Sequence, residues 1–281
     1  MMTKIKDKLF DDERSLFNSH DLEVYNCRFI NGESPLKESK NIYLENDTFE
    51  WKYPLWYSKN IKAKTINLKE TARSGIWYTD NIEIVDSVID APKTFRRSGN
   101  IFLKKVAITH ADETIWKCRS IKIEDVEAKG DYFGFNSEDI TINNLKLDGN
   151  YAFDGGKNIT ITNSVFNSKD AFWNCENVLV KDSIINGEYL GWNSKNVTLV
   201  NCTIISHQGM CYMNNVKLEN CIVNDSDLIF EYCEGIDATI NSEVLSIKNP
   251  YSGVIRVKGV QELILDERYC DPNKTRIEII K

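Results

Sequence analysis

The sequence predicts an all-β fold, a single-stranded parallel β-helix (solenoid) of about twelve coils with about 19–20 residues each. The first observation is a polar residue, usually Asn, that recurs about every nineteen residues and anchors each repeat. The second is that the residues one and three positions after each anchor are apolar, which is typical of a short strand with one buried face. The anchors are Asp21, Asn41, Asn60, Asn81, Asn100, Ser120, Asp139, Asn158, Asn177, Asn196, Asn215 and Gly235.

Each coil carries further apolar or small positions. They stand six and eight positions after the anchor, and five and two positions before the next one. In the coil from Asn158 the full inward set is Ile159, Ile161, Ser164, Phe166, Phe172 and Cys175. This pattern predicts three short strands joined by bends, with successive coils hydrogen-bonded about 4.8 Å apart. The first half of the coil also resembles a pentapeptide-repeat helix, but the five-residue spacing fails in the second half.

The repeat predicts one domain over residues 1–281. We expect coils over residues 21–261, an N-terminal cap over residues 1–20 and a C-terminal cap over residues 262–281. A second Asn or Asp five positions after many anchors is expected to be structural, because Asn tolerates left-handed backbone and its amide can bridge coils. The eight cysteines mostly occupy inward columns without metal-binding spacing, so we expect reduced, structural thiols.

Composition excludes several function classes. The chain has 35 basic and 42 acidic residues, a formal charge of −7 and no basic stripe, which disfavours nucleic acid as a partner. No stretch is apolar enough for a membrane span or a signal peptide, so we expect a cytoplasmic protein that binds no membrane. No residue pattern indicates a metal site or a cofactor. We expect a monomer or a weak homodimer.

Three segments carry a family resemblance. They are residues 10–17 (FDDERSLF), 32–39 (GESPLKES) and 73–78 (RSGIWY). Together with the Asn-containing turns, they resemble a bacterial family known as domain of unknown function 3737, from end to end. The resemblance implies a right-handed, pectate-lyase-like parallel β-helix and no particular activity. The family pattern after Arg73 more often reads Ala-Ala-Leu-Trp, so Ser74 and Gly75 depart from it mildly.

An aromatic column stands four positions before each anchor, where we expect side chains to point outward. It reads Lys37, Trp56, Trp77, Arg96, Trp116, Phe135, Asp154, Trp173, Trp192, Cys211 and Glu231. One interpretation is a groove for an acidic saccharide, because flat rings match pyranose faces and Arg matches carboxylates. The other is a structural ladder, with the charges near the N-terminus forming an ion-pair network through Glu13 and Arg14. The predicted ligand-binding residues are Glu33, Trp56, Tyr57, Trp77, Tyr78, Arg96, Arg97, Trp116, Trp173 and Trp192.

Catalysis has weaker support in the sequence. Glycoside hydrolysis needs two carboxylates roughly 5 to 9.5 Å apart, and the outward acids are scattered over distant coils. Lys37, Arg73, Arg96 and Asp154 are the weak catalytic candidates for a polysaccharide lyase or glycoside hydrolase. Two hypotheses follow: the chain binds or processes an acidic saccharide, or it is a non-catalytic scaffold for protein interaction.

Overall fold

The computed structural model describes residues 2–281 and shows a parallel β-solenoid of about 15 turns. Helix is limited in these residues to two 3-10 segments, Glu70–Ala72 and Pro272–Lys274. No helix in this part of the chain is long and apolar enough to cross a membrane. The predicted all-β solenoid is therefore confirmed. The chain divides into two compact units, one ending at Lys146 and the other beginning at Leu147, and the single-domain assignment stays a prediction.

In residues 2–281, twenty-four strands, numbered in chain order, build the solenoid. The first unit contains β1 Thr3–Lys6, β2 Leu9–Phe10, β3 His20–Tyr25, β4 Arg28–Phe29, β5 Lys40–Glu45, β6 Thr48–Phe49, β7 Lys59–Lys64, β8 Asn67–Leu68, β9 Ile76–Trp77, β10 Asp80–Ile89, β11 Phe95–Arg96, β12 Gly99–Ile108 and β13 Arg119–Lys129. The boundary between the units falls within β14 Glu138–Asp148. The second unit contains β15 Lys157–Thr162, β16 Val165–Asn167, β17 Glu176–Lys181, β18 Ile184–Asn186, β19 Lys195–Val200, β20 Thr203–Ile205, β21 Asn214–Asn224, β22 Glu234–Lys248, β23 Gly253–Ile264 and β24 Thr275–Ile279.

The coil count of about twelve was too low. Strand β1 pairs in parallel with β3, and β24 pairs in parallel with β23, so both segments expected to be caps contribute strands to the stack. Met2 and Lys274 precede these strands, at positions where the other coils carry an Asn, Asp, Ser or Gly anchor. The periodic signal therefore stops before the solenoid does.

Register between coils follows the sequence columns. In the second unit Ile159 pairs with Val178 and Ile161 with Val180, so equivalent positions lie side by side. The inward residues of this coil are buried, with Phe166 and Phe172 at 0 and 1% exposure. Phe172 stacks on Phe153 of the preceding coil, with ring centroids 5.5 Å apart. The core thus consists of side chains packed on their counterparts along the axis.

The Asn columns form the corners of the coils. Anchor residues have positive φ, such as 57° at Asn60 and 54° at Asn196, a conformation that Asn adopts more readily than most residues. Within residues 2–281, at least six anchor amides donate through Nδ2 to the Oδ1 atom of the preceding anchor, whereas Asn100 donates to Asp80. The N–O distances are 2.8 Å for Asn41 to Asp21, Asn60 to Asn41 and Asn81 to Asn60, 3.0 Å for Asn177 to Asn158, 2.9 Å for Asn196 to Asn177 and 3.0 Å for Asn215 to Asn196. The columns are structural, as the sequence predicts.

Small residues two positions before most anchors form a second, largely buried ladder. The hydroxyl of Ser58 accepts the N–H of Ser39 at 3.3 Å and donates to the carbonyl of Leu36 at 2.8 Å. The thiol of Cys175 likewise donates to the carbonyl of Phe153 at 3.0 Å. Cysteine, serine and threonine alternate in this column because each can donate to a carbonyl and accept an N–H. All eight cysteines are buried and free, and their reduced state stays a prediction.

Asp47 is an exception among the inward residues six positions after the anchor. Its Oδ1 atom accepts the N–H of Cys27 at 2.7 Å, while Oδ2 is buried without a hydrogen-bond partner in the described structure. The residue is 1% exposed. Burial raises the pKa of this carboxyl to about 6, because ionisation would place a charge in the core.

We expect Asn196→Ala to destabilise the protein by about 2 to 3 kcal/mol. Alanine loses both amide bonds and occupies left-handed backbone at a cost of its own. Asn196→Gly should cost roughly 1 kcal/mol less, because glycine adopts positive φ without strain. Urea melts measure both, with exposed Lys195→Ala as the control. Equal, negligible losses for the Ala and Gly variants would contradict the structural role of the ladder.

We expect Asp47 to make stability fall as pH rises from about 4 to about 6. In this window the unfolded carboxyl has ionised while the folded one keeps its proton, so the folded state binds more protons. Asp47→Asn retains an acceptor for the Cys27 N–H and removes the titration. The variant should gain about 1 to 3 kcal/mol over the parent between pH 4 and pH 7. Urea melts of both proteins across this range measure the difference, and a constant difference would refute the assignment.

Candidate ligand-binding face

The Trp stripe of the first unit, which we define as Trp56, Trp77, Arg96, Trp116 and Phe135, is a continuous stack. The Trp56 and Trp77 rings lie 5.1 Å apart with an interplanar angle of 8°. The Arg96 guanidinium lies between two indoles, 4.7 Å from the centroid of Trp77 and 5.0 Å from that of Trp116. Trp116 in turn contacts Phe135 at 4.1 Å. The ring faces between consecutive members therefore cover one another.

The indole N–H groups are also engaged. Trp56 Nε1 donates to the carbonyl of Ser74 at 2.5 Å, and Trp77 Nε1 donates to the carbonyl of Lys93 at 2.8 Å. In the second unit Trp173 Nε1 donates to the carbonyl of Tyr189 at 2.7 Å. Trp192 lies 6.0 Å from Trp173 with a tilt of 35°. All five predicted tryptophans are half-buried, which fits a packing role between coils.

Sequence reasoning missed an aromatic column that accompanies these tryptophans. Seven positions before the anchor, four tyrosines lie against the indoles, with centroid distances from 4.8 to 6.3 Å. They are Tyr53, Tyr132, Tyr151 and Tyr189. Their recurrence at a fixed position was the available signal. It points to the structural interpretation of the Trp column.

Arg96 is held within the stack by charge as well as by its neighbours. Its Nη2 atom donates to Glu113 Oε2 at 2.8 Å, and Lys93 binds the other oxygen of Glu113 at 3.0 Å. The side chain is 22% exposed, and Nε is buried without a hydrogen-bond partner in the described structure. The Arg96 guanidinium is thus committed to Glu113 and the two indoles.

The neighbouring column, three positions before the anchor, is more exposed. Tyr57 and Tyr78 are 50 and 36% exposed, and their rings stack at 4.8 Å with an angle of 6°. The next two coils place exposed Arg97 and Lys117 in this column, and exposed Arg119 follows two residues after Lys117. Within residues 2–281 these three cations form no ion pair. We call Tyr57, Tyr78, Arg97, Lys117 and Arg119 the cationic face.

The cationic face has a shallow cavity of about 410 Å³ at its basic end. It is lined by Lys117, Cys118, Arg119, Asn136 and Glu138. Gly99 contributes to the shape, because a Cβ atom there would lie 3.3 Å from Cγ and Cζ of Arg119. The Arg119 side chain therefore lies across the space that a larger residue would fill.

The predicted charged cluster near the N-terminus does not converge on one ligand position. Glu33 Oε1 pairs with Lys52 at 3.1 Å, and the Glu33 N–H donates to Glu13 at 2.8 Å. Lys37 lies 5.7 Å from the Tyr57 centroid, while exposed Arg73 makes no ion pair with any described residue. The contacts of Glu33 resemble the ion-pair network considered from sequence.

The catalytic candidates are distributed over both units. Lys37, Arg73 and Arg96 belong to the first, and Asp154 belongs to the second. Asp154 Oδ1 accepts the amide of Asn174 at 2.9 Å, and Asn174 accepts the amide of Asn193 at 2.9 Å. Asp154 thus ends another amide ladder. Among residues 2–281 no three His, Cys, Asp or Glu side chains come together to hold a metal ion.

Comparison with known proteins identifies a family and distant structural neighbours. A family model described as protein of unknown function (DUF3737) matches residues 3–278, and no curated protein matches. PfbA, a surface adhesin of Streptococcus pneumoniae, is 10% identical over 94% of this chain and 80% of its own, with a TM-score of 0.41. Full-length QnrB1, a plasmid-mediated fluoroquinolone resistance protein, is 11% identical over 79% of this chain and 94% of its own, with a TM-score of 0.30. The A-module of the Azotobacter vinelandii mannuronan C-5 epimerase AlgE4 is 8% identical over 99% of this chain and 87% of its own, with a TM-score of 0.28.

We expect Trp77→Ala to destabilise the protein by about 2 to 4 kcal/mol. The change removes the stack with Trp56, the contact with Arg96 and the indole hydrogen bond. The adjacent Tyr78→Ala should cost about 1 kcal/mol or less, because that side chain is substantially exposed. Denaturant melts compare the two, and the opposite order would show that the stripe is not a packing element.

Proposed function

We propose that this chain, which belongs to the DUF3737 family of proteins of unknown function, binds an acidic saccharide on its cationic face. The observation that carries the proposal is the trio Arg97, Lys117 and Arg119, which lies unpaired beside the stacked pair Tyr57 and Tyr78. The Trp stripe then acts as the rigid support behind this face.

The charge distribution supports an anionic ligand. Several cations on other outward columns of the first unit pair with acids on the adjacent coil, as Lys104 does with Glu124 at 2.9 Å and Lys146 with Glu127 at 2.7 Å. Arg97 and Lys117 instead place like charges on adjacent coils, which is unfavourable without an anion. The chain as a whole has a formal charge of −7, so the positive charge of this cluster is opposite in sign to the net charge of the protein. A carboxylated ligand would relieve the repulsion, and guanidinium groups bind carboxylates in bidentate geometry.

The spacing of the cationic face supports a repeating ligand. Coils follow one another about every 4.8 Å, so the face offers one ring or one cation per coil. Tyr78 stacks on Tyr57 through one face, and its other side is directed towards the coil that carries Arg97. Exposed phenol rings can contact the apolar faces of sugars, while the neighbouring cations bind carboxylates.

The contacts support binding rather than processing. Of the acids next to the cationic face, Asp80 already accepts the amide of Asn100 at 2.9 Å, which leaves Glu138 in the cavity at the basic end. Hydrolysis at a glycosidic bond needs a second carboxylate at a defined distance. The second candidate function is a structural or protein-interaction scaffold, which the covered indole faces of the Trp stripe favour.

We expect the parent protein to bind oligogalacturonate or oligomannuronate more tightly than neutral oligosaccharides of equal length. Arg97→Ala, Lys117→Ala and Arg119→Ala should each weaken binding roughly fivefold or more, because each removes a charged donor. Added salt should weaken binding as well. Isothermal titration at low ionic strength measures these affinities.

Lys104→Ala is the matched control, because that cation is paired with Glu124 outside the cationic face. It should leave the affinity unchanged. Absence of saturable binding to both acidic oligomers would reject the proposal and favour the scaffold. An equal loss in the Lys104→Ala variant would reduce the interaction to general charge attraction.

A further inference from the structure

The second unit contains a cavity of about 810 Å³ that none of the sequence columns predicts. Its size lies within the range of small-molecule sites. Its walls come from the start of β22, the turn before β23 and the segment that precedes β24. The lining residues are Glu234, Tyr251, Ser252, Glu267, Arg268, Tyr269, Cys270, Asp271, Pro272, Asn273 and Lys274.

Hydrogen bonds hold the walls of this cavity in place. Asn249, which is 2% exposed, accepts the N–H of Asp266 at 2.8 Å and the thiol of Cys270 at 3.7 Å. Asp271 accepts the N–H of Asn273 at 3.1 Å and so begins the second 3-10 segment. On the opposite wall Ser252 accepts the N–H of Gly235 at 3.1 Å. The cavity is therefore preorganised by the protein's own contacts.

Two tyrosines of the cavity keep accessible ring surface. Tyr251 and Tyr269 are 36 and 55% exposed, and both pack against Tyr232, at 5.2 and 6.4 Å between ring centroids. They therefore rest on a common aromatic base. This arrangement differs from the Trp stripe, in which consecutive rings cover one another.

The polar groups of the cavity include both free acceptors and free donors. Within residues 2–281, the side chains of Glu267 and Lys274 have no hydrogen bond or ion pair, whereas Arg268 is bound to Asp266 at 2.6 Å. Three carboxylates, Glu234, Glu267 and Asp271, oppose an acidic ligand. The ammonium of Lys274 opposes an amine. Sugar hydroxyls are both donors and acceptors, so an uncharged sugar matches this wall.

A groove of about 500 Å³ in the first unit lacks this free capacity. The hydroxyls of its tyrosines already donate to carboxylates, Tyr25 to Glu23 at 2.8 Å and Tyr43 to Glu45 at 2.9 Å. Its amides, such as Asn60, belong to the anchor ladder. The cavity of the second unit therefore differs from this groove in having free hydrogen-bonding groups.

We propose that this cavity binds a neutral saccharide, with Tyr251 and Tyr269 contacting the sugar ring and Glu267 and Lys274 binding its hydroxyls. The site uses no residue of the cationic face and is independent of the acidic-saccharide proposal. Aromatic rings supply area for an apolar sugar face, and unpaired polar groups around them fix its orientation.

The test uses the full chain and four neutral probes: cellotetraose, maltotetraose, mannotetraose and xylotetraose. Saturation-transfer difference NMR should show contact with at least one probe, and titration calorimetry should give its affinity. Tyr269→Ala should weaken that affinity roughly tenfold. Glu267→Gln, which preserves shape and exposure, should weaken it severalfold. Galacturonate tetrasaccharide should not compete.

Ile184→Ala is the control, because Ile184 is 45% exposed in the same unit and does not line the cavity. It should bind the probe like the parent. Circular dichroism checks that each variant folds. If Tyr269→Ala does not fold, the binding affinity of Glu267→Gln decides the test. The inference is overturned if no neutral probe saturates the parent protein. It is equally overturned if Tyr269→Ala and Glu267→Gln both bind like Ile184→Ala.

Discussion

The pairing of each coil with the next, in parallel and in register, is the constraint on which the rest of this structure depends. Because equivalent positions lie one coil apart, most side chains must tolerate a counterpart directly above and below. Asn meets this condition by donating with its amide nitrogen and accepting with its oxygen, as Asn60 does between Asn41 and Asn81. Serine, threonine and cysteine meet it in the buried column, and some charged columns meet it by alternating sign, as Lys104 and Glu124 do.

The same constraint explains how much of the fold could be predicted. Columns such as Ile159 and Val178 repeat in the sequence because they lie side by side in space. The terminal coils escaped prediction because Met2 and Lys274 stand where the other coils carry an Asn, Asp, Ser or Gly anchor. Near the C-terminus the spacing itself changes, since Ile236 pairs with Gly253 and Gly253 pairs with Thr275. Gly253 is required there, because a Cβ atom would lie 2.1 Å from the carbonyl oxygen of Ile236.

The candidate site was harder to predict, for a different physical reason. Periodicity indicates that Trp77 and Arg96 point away from the core, but it does not state whether neighbouring side chains stack on each other or face solvent. That choice depends on groups outside the column, here Glu113 and the carbonyl of Lys93. Lys117 and Arg119 were missed because an unpaired cation is recognised only when the partners of the other cations are known.

A ladder in which every side chain already has its hydrogen-bond partners leaves few free donors or acceptors for a ligand. Free capacity is then expected where a column changes character or where a coil departs from the common length. The cationic face lies where one column changes from aromatic to basic residues, from the stacked Tyr57 and Tyr78 to Arg97 and Lys117. The cavity of the second unit lies at a change of length, in the long segment between β23 and β24. Variation at such positions leaves the ladders intact, so a solenoid of this kind can alter its ligands without altering its fold.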